Sequence, residues 1–357
     1  MTQKQGPWRI TFDTNPDDCN LHCIMCEEHS IYSSCQMQRK AKGLPRRRMD
    51  IQLMRKILEE SKGSPLREII PSTMGEPLLF RKFDEIIQLC HEYDIKLNLT
   101  TNGTFPKLGA TEWAKRIVPV GSDVKISWNG ATKKTSELIM IGSNHEKRLQ
   151  NVKDFIHVRD QVAKEGGNFC RVTFQLTFME IGLEELPDVI RLAASLGVNR
   201  VKGHHLWVFG SEMENQNLRR NLNSIKRWNE VVAKAQEVAE TVFLEDGSKV
   251  LLENIYPLDE SATEELLPEG ICPFLNQEAW VSSEGRFNPC CAPDKDRLKL
   301  GEFGNLNDST LEEIWTDKAY QDLKNNYLKH SVCKGCNMRR KEEDVASTQN
   351  NNTLAQV

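Results

Sequence analysis

Cys19-Asn20-Leu21-His22-Cys23-Ile24-Met25-Cys26 places three thiols in a turn-sized stretch directly after the strand-like run Trp8-Arg9-Ile10-Thr11-Phe12-Asp13-Thr14. The C-x3-C-x2-C spacing lets three thiolates wrap one iron-sulfur cube and leaves its fourth iron without a protein ligand, open to a substrate or cofactor. A structural zinc site differs, because it usually pairs two C-x2-C knuckles and closes its sphere with four protein ligands. Here His22 or His29 would have to complete that tetrahedron.

Outward from this loop, short β-branched or apolar runs alternate with segments of helical period. Strands are expected at 8–14, 66–73, 96–101, 123–128, 171–178 and 200–207, each bounded by turn residues. Helices are expected at 50–61, 80–93, 111–117, 146–163, 183–196 and 218–241. In the fifth of these, Leu186, Val189, Ile190 and Leu192 face away from Glu185, Asp188 and Arg191. Such alternation predicts an α/β fold with a parallel sheet and right-handed crossovers. Six units are too few to close an eight-stranded barrel. The expectation is a partial (β/α)6 barrel over residues 1–240, with its active site at the C-terminal strand ends, a small auxiliary domain over 241–340 and a disordered polar tail over 341–357.

The chain has 357 residues, 39% hydrophobic and 27% charged, which suits one large domain plus a smaller one. With a net charge of −4, no field-scale basic surface argues for nucleic acid. The dense basic cluster Arg46-Arg47-Arg48, with Lys40 and Lys42 before it, reads as a solvated loop or as a patch that steers an acidic partner. No stretch approaches the roughly eighteen apolar residues of a membrane span, and the N-terminus lacks an apolar h-region. A cytoplasmic protein with no membrane partner is expected, in which eleven cysteines serve as metal ligands or reactive thiols more than as disulfides.

On these residues the chain resembles a radical S-adenosylmethionine (radical SAM) enzyme. In that family the cysteine loop holds a [4Fe-4S] cluster whose open iron chelates the amino and carboxylate groups of S-adenosylmethionine. The resemblance implies Cys19, Cys23 and Cys26 as ligands. Met25 stands where the family usually has an aromatic residue against adenine, and a thioether can also pack on a ring. Met74-Gly75-Glu76-Pro77 resembles the family's Gly-Gly-Glu-Pro motif, with Met74 at the first glycine position. There Gly75 lets the backbone approach a ligand, and the Glu76 carboxylate can accept hydrogen bonds from its ammonium. Ser127-Trp128-Asn129-Gly130 is similar to the family's strand that contacts ribose and the methionine carboxylate, which implies Ser127 and Asn129, with Gln175, Thr177 and Arg171 as further candidates. Ordinary strand-end capping is the other reading of these polar residues.

Cys272, Gly285 and Cys290 stand in C-x12-G-x4-C spacing, followed by Gly301, the run from Leu306 to Trp315, and Cys333-Lys334-Gly335-Cys336. Four thiolates are the full complement of a cube, and the order resembles the SPASM/Twitch extension of radical SAM enzymes. No cysteine follows Cys336, so the resemblance implies the shorter Twitch form, with one auxiliary [4Fe-4S] cluster on Cys272, Cys290, Cys333 and Cys336. A zinc ribbon is the alternative. Cys35, Cys90 and Cys170 default to structural thiols. Cys291 directly follows a ligand, and adjacent residues do not easily bind one cube, so its side chain is expected to point elsewhere, into the cavity between barrel and auxiliary domain.

The family's chemistry is reductive cleavage of S-adenosylmethionine to a 5'-deoxyadenosyl radical, which takes hydrogen from an unactivated C–H bond held close to C5'. A thiol on the opposite face can return a hydrogen atom and invert the carbon. Cys290-Cys291 in a Twitch-type architecture resembles ribosomal-peptide epimerases, which implies Cys291 as hydrogen donor in an L-to-D conversion within a precursor peptide. Oxidation is the alternative, with the auxiliary cluster accepting an electron to give a crosslinked peptide or a dehydrogenated aminosugar alcohol. A non-catalytic iron-sulfur or zinc scaffold fits poorly with an open three-cysteine site and an intact Glu76. The expected partners are a precursor peptide and a flavodoxin or ferredoxin as electron donor. No peptide-binding domain is recognisable before Trp8, so a leader would bind the barrel, the Twitch region or a separate protein, which tilts the reading toward a small substrate.

Overall fold

In the computed structural model, which describes residues 4–261 and 268–341, nine strands form one sheet. They are β1 (Arg9–Phe12), β2 (Glu68–Ile70), β3 (Lys96–Thr101), β4 (Gly121–Ser127), β5 (Arg171–Phe178), β6 (Arg200–His205), β7 (Leu251–Glu253), β8 (Glu278–Val281) and β9 (Phe287–Asn288). The order is β7-β6-β5-β4-β3-β2-β1-β8-β9, and all neighbours are parallel except the β8–β9 hairpin. Because strands β1 to β8 share one direction, their C-terminal ends and the loops that leave them gather at one rim. Helices α1 (Cys35–Ala41) and α2 (Ile51–Glu60) separate β1 from β2. After β2 to β6 come α3 (Phe83–Tyr93), α4 (Ala110–Ile117), α5 (Lys133–Ile139) with α6 (His145–Lys164), α7 (Leu186–Leu196) and α8 (Leu222–Thr241) in turn.

The period of two along each strand sorts the side chains. On β5, Val172, Phe174, Leu176 and Phe178 pack outward into the core beneath the helices, where Trp128 stacks on Phe174 with ring centroids 4.6 Å apart. Arg171, Thr173, Gln175 and Thr177 face the other way. Thr173 Oγ1 donates to Asp123 at 2.8 Å, and Arg200 bonds both Asp123 and Glu253. Arg9 joins Glu68 at 2.9 Å and also pairs with Glu278. The Arg200–Asp123 contact passes over β5, and Ser122 on β4 likewise reaches Glu68 over β3, which needs a concave polar face, so the sheet curls into an open barrel with a charged lumen. Matched pairs make those charges tolerable, since each ion left alone would carry a desolvation penalty of several kcal/mol.

The six expected strands and six expected helices are present, with shifted ends. Pro71 has no N–H to give the ladder, and β2 stops at Ile70 where the sequence suggested 73. The Asn221 side chain accepts from Ser224 N at 2.9 Å, and this cap starts α8 at Leu222 in place of 218. Among the described residues three strands and six helices escape the sequence pattern, the helices being α1, α5 and four short ones at Asp294–Arg297, Leu311–Thr316, Lys318–Asn326 and Ser331–Lys334. Strands β7 and β9 span three and two residues, too short for alternation to register. Strand β8 is buried along its whole length, and although it lies in the segment expected to form the auxiliary domain it pairs with β1 from Arg9↔Glu278 to Phe12↔Val281. Helices α1 and α5 have seven residues each, again too few for a clear period. The tail expected to be disordered lies outside the described residues apart from Lys341. Among the described residues no helix is long and apolar enough to cross a membrane.

Candidate active site

The loop leaving β1 brings all three N-terminal cysteines to the rim. Cys26 N donates to Cys23 O at 3.0 Å, while His22 N and Ile24 N donate to Ile141 O and Ile139 O at 2.9 Å each. These bonds lace the loop to the end of α5. Around it Leu21, Ile24, Ile139, Met140, Met179, Leu206 and Met213 form an apolar cluster apart from the main core, against which Cys19, Cys23 and Met25 pack. Burial pushes the Cys19 thiol up to about 12 and also raises Cys23 and Cys26; at Cys19 and Cys23 the neighbouring thiols add to the rise.

Both candidate histidines are engaged with backbone, His29 Nε2 with Pro16 O at 2.7 Å and His22 Nδ1 with His29 O at 2.9 Å. Among the described residues no three His, Cys, Asp or Glu side chains converge as a single metal ion requires. A tetrahedral zinc brings its sulfurs to about 3.8 Å from one another, whereas a cube carries its ligands on outlying corners. Three partly buried thiols on one loop, with both nearby histidines engaged by backbone, therefore fit an open iron-sulfur cube better than a zinc tetrahedron.

Met74-Gly75-Glu76-Pro77 follows β2 and docks on the cysteine loop backbone to backbone. Glu76 N donates to Asp18 O at 2.7 Å, and Asn15 Nδ2 donates to Glu76 O at 3.0 Å. Gly75 has φ 78°, and a Cβ there would lie 2.5 Å from Asn15 O and 2.8 Å from Asp18 O, so the approach depends on glycine. The Glu76 carboxylate, expected to meet a ligand ammonium, is instead turned inward. It is fully buried and accepts from Thr101 Oγ1 at 2.8 Å, Asn102 N at 2.7 Å and Leu78 N at 3.2 Å. Burial lifts it to about 7 against the pull of those donors. Three of its roughly four acceptor sites are thus used within the protein. The half-exposed members of the motif are Met74 and Gly75; Pro77 is buried at the start of a 3-10 turn.

Strands β3 and β4 end in matching Asn-Gly turns. Asn102 Nδ2 donates to Asn20 Oδ1 at 2.8 Å, next to Cys19, and Asn129 Oδ1 accepts from Thr177 N at 2.9 Å, fastening β4 to β5. Arg148 on α6 was not anticipated from sequence. It is 1% exposed, donates to Asn102 O at 3.0 Å, to Ser136 Oγ at 3.3 Å and to Ser127 O, and lies 4.4 Å over the Trp128 ring. Burial lowers it to about 10, partly offset by Cys23. One side chain thus ties the ends of β3 and β4 to the neighbourhood of the cysteine loop. The repeated Asn-Gly strand ends were the available signal; a lone arginine on a polar helix carries none. Ser127 and Gln175 are half-exposed at the rim, and Gln175 Nε2 lies 3.4 Å from His204 Nδ1, whose imidazole burial holds down at about 4. Arg171, opposite Asp123, begins β5, roughly 13 Å below Gln175 and too deep for a ribose contact.

The basic run stays largely solvated, with Arg46 and Arg48 exposed and Arg47 partly buried, yet all three of its arginines are held in ion pairs. Arg47 holds Asp17 at 2.6 Å and Glu28 at 2.9 Å, while Arg46 and Arg48 hold Asp18 at 2.6 and 2.9 Å. Despite burial, the Arg47 hydrogen bonds keep the Asp17 carboxyl low, at about 2. The two acids immediately precede Cys19, so the run clamps the cysteine loop from outside.

Cys272, Cys290, Cys333 and Cys336 line one apolar cavity with Phe274, Leu275 and Tyr327, and Tyr327 Oη accepts from Cys272 N at 3.3 Å. Cys291 lines the same cavity and does not point away from it as expected. The chain bends at 289–292, so the alternation that would separate adjacent side chains is lost. Burial, then Cys290, Cys336 and Cys272, push the Cys291 thiol well above its usual range. Just beyond it the chain meets the loop after β6: Trp207 Nε1 donates to Asp296 at 3.3 Å, Lys295 Nζ to Phe209 O at 3.1 Å and Asn337 Nδ2 to Leu206 O at 2.9 Å.

Two family models match the chain, the radical SAM superfamily over residues 16–161 and the SPASM iron-sulfur cluster-binding domain over residues 272–337. In fold the chain is similar to SuiB of Streptococcus suis bound to S-adenosylmethionine, with 15% identity, TM-score 0.63, and 94% of this chain and 73% of that chain covered. It is similar to SuiB bound to its precursor peptide SuiA, with 16% identity, TM-score 0.62, and 94% and 72% covered. It is also similar to native anSMEcpe with bound AdoMet, with 15% identity, TM-score 0.63, and 98% and 96% covered. At such identities the likeness is one of fold. No curated protein matches in sequence.

Proposed function

Because the chain belongs to the radical SAM superfamily and carries a C-terminal SPASM domain, we propose that Cys19, Cys23 and Cys26 hold a [4Fe-4S] cluster with S-adenosylmethionine, and that the enzyme converts an L-residue of a ribosomally made precursor peptide to its D-form. When bound, that pair supplies a 5'-deoxyadenosyl radical able to take hydrogen from an unactivated C–H bond. The chain's own residues bind and orient. The methionine-rich apolar cluster around the loop keeps water away, and the Gly75 backbone, Met25, Ser127 and Gln175 border the space for the cofactor. Glu76, Arg148, Asn102 and Asn129 act as positioning residues that fix this rim. Cys272, Cys290, Cys333 and Cys336 would hold a second [4Fe-4S] cluster. Eleven free cysteines suit a reducing cytoplasm.

The observation that carries the stereochemical reading is Cys291, a fifth thiol beyond the four cluster ligands, in a dry cavity a few residues from the segment bonded to the β6 loop. Its S–H bond breaks as a hydrogen atom passes to the substrate carbon, on the face opposite the abstraction. The sulfur radical left behind takes one electron, from a donor of flavodoxin or ferredoxin class, and one proton. A peptide substrate is in keeping with SuiB, crystallised with precursor peptide SuiA, and anSMEcpe, crystallised with a peptide.

Oxidation to a crosslinked peptide or a dehydrogenated aminosugar alcohol is the second reading. The gathering of Cys272, Cys290, Cys333 and Cys336 around one apolar cavity favours it, since a cluster held there would accept the electron of the substrate radical. Cys291→Ala separates the two. Under epimerisation the variant keeps its iron, still forms 5'-deoxyadenosine and yields no D-residue by chiral amino-acid analysis. If the thiol is wall only, the change costs about 1 kcal/mol of stability and product configuration stays that of the wild type.

A further inference from the structure

Lys125 lies midway along β4, in register with Thr100 on β3 and Thr173 on β5. It is two residues below Ser127, hence about 7 Å beneath the rim. It shares inward parity with Asp123, whose carboxylate bonds Thr173 and Arg200 across the lumen. The charges that act on it come from Arg9 on β1, Glu68 on β2, Asp123 on its own strand and Lys202 on β6, which places the ammonium inside the barrel.

This lysine is 8% exposed, and among the described residues it has no hydrogen-bond or ion-pair partner. The carboxylates around it are already engaged. Glu68 and Glu278 hold Arg9, Asp123 holds Arg200, and Glu253 holds Arg200 and Lys202. Arg171, also without an ion pair, lies a further step down at the foot of β5. The Lys125 stem is buried while its nitrogen is not among the sealed, unpartnered polar atoms of the described residues, so the ammonium is open to a ligand, and without a counter-ion it costs stability.

We infer that Lys125 is a carboxylate-binding site for the substrate, inside the barrel and one step below the rim; the inference rests on the peptide reading above. Cations outnumber carboxylates in this lumen, where Glu253 also meets Arg340 at 3.9 Å, and Lys125 is left unpaired where a substrate reaching down from the rim would arrive. Burial, with Arg9 and Lys202, holds the empty ammonium down at about 7, and an incoming carboxylate restores its charge. In a peptide that group is an Asp or Glu side chain or the C-terminus.

The test is binding of fluorescently labelled precursor peptide to the holoenzyme loaded with S-adenosylmethionine. Lys125→Met keeps the stem and removes the charge; Lys125→Arg keeps the charge. Wild type should bind 10- to 100-fold more tightly than K125M, on the order expected of a charge-assisted hydrogen bond, with K125R in between. Peptides carrying single Asp→Asn or Glu→Gln changes, and one amidated at its C-terminus, identify the group. One of them should lose that same factor with wild type and nothing further with K125M. Equal binding by wild type and K125M, or losses that add for every carboxylate, overturns the site. Should K125M fail to fold, the wild-type series decides alone, and a series in which no single neutralisation weakens binding also overturns it. Because the readout is binding, a peptide held through Lys125 yet left unmodified refutes the reaction proposed above while this site stands.

Discussion

Replacing Cys19, Cys23 and Cys26 together by alanine is expected to bring 5'-deoxyadenosine formation down to the no-enzyme background, while about four of eight irons remain on the auxiliary cysteines. The loss should exceed about 10⁴-fold, since without the open cluster nothing in the chain can reduce S-adenosylmethionine. The fold should survive, because the loop is held by backbone bonds to Ile139 and Ile141 and by Leu21 and Ile24 in their apolar cluster, none of which passes through a thiol. Iron analysis and product quantification after anaerobic reconstitution read the two halves separately. Continued cleavage by the triple variant would mean that the catalytic cluster is elsewhere; loss of all iron would mean that the two sites do not load independently.

Gly75→Ala should also cut activity severely, though less than loss of the cysteines, and by a different route. At φ 78° an L-residue is strained by roughly 1–2 kcal/mol, and the added Cβ meets two backbone oxygens, Asn15 O at 2.5 Å and Asp18 O at 2.8 Å. Backbone cannot rotate aside as a side chain can, so the motif and the cysteine loop must part. A total destabilisation of about 2–4 kcal/mol is expected, with S-adenosylmethionine cleavage down by about 100-fold or more as the rim loses its register. Gly109→Ala is the control. Its φ is 81° and nothing lies within 4 Å of the added atom, so it should pay the backbone strain alone and keep near-normal cleavage. Thermal melts beside product assays make the comparison; equal effects at the two glycines would show that the contact with the cysteine loop is unimportant.

What was legible in the sequence was whatever is encoded over a few residues. The C-x3-C-x2-C loop, the strand Arg171–Phe178 and the cap-delimited helices are local patterns, and they appear close to where the pattern puts them. What was not legible depends on partners distant along the chain. Nothing near Glu278 says that its strand will pair with Arg9, 269 residues earlier. The inward turn of Glu76 depends on Thr101 and Asn102, and the basic run became a clamp because Asp17 and Asp18 sit opposite. That Cys291 borders the same cavity as Cys290 depends on the bend over residues 289–292, which brings neighbouring residues to one side. Arg148 and Lys125 belong to the same class: each is one charged residue in an unremarkable stretch, given its meaning by the barrel around it.

The proposal that a hydrogen atom is removed and then returned from a thiol is tested most directly by solvent isotope. Cysteine S–H exchanges with water, so wild-type holoenzyme should be incubated with S-adenosylmethionine, a reductant and a candidate precursor peptide in deuterium oxide. The account predicts a gain of one mass unit per modified residue, at a residue that hydrolysis and chiral analysis show to be D. A loss of two mass units, or a D-residue formed without deuterium, would contradict it.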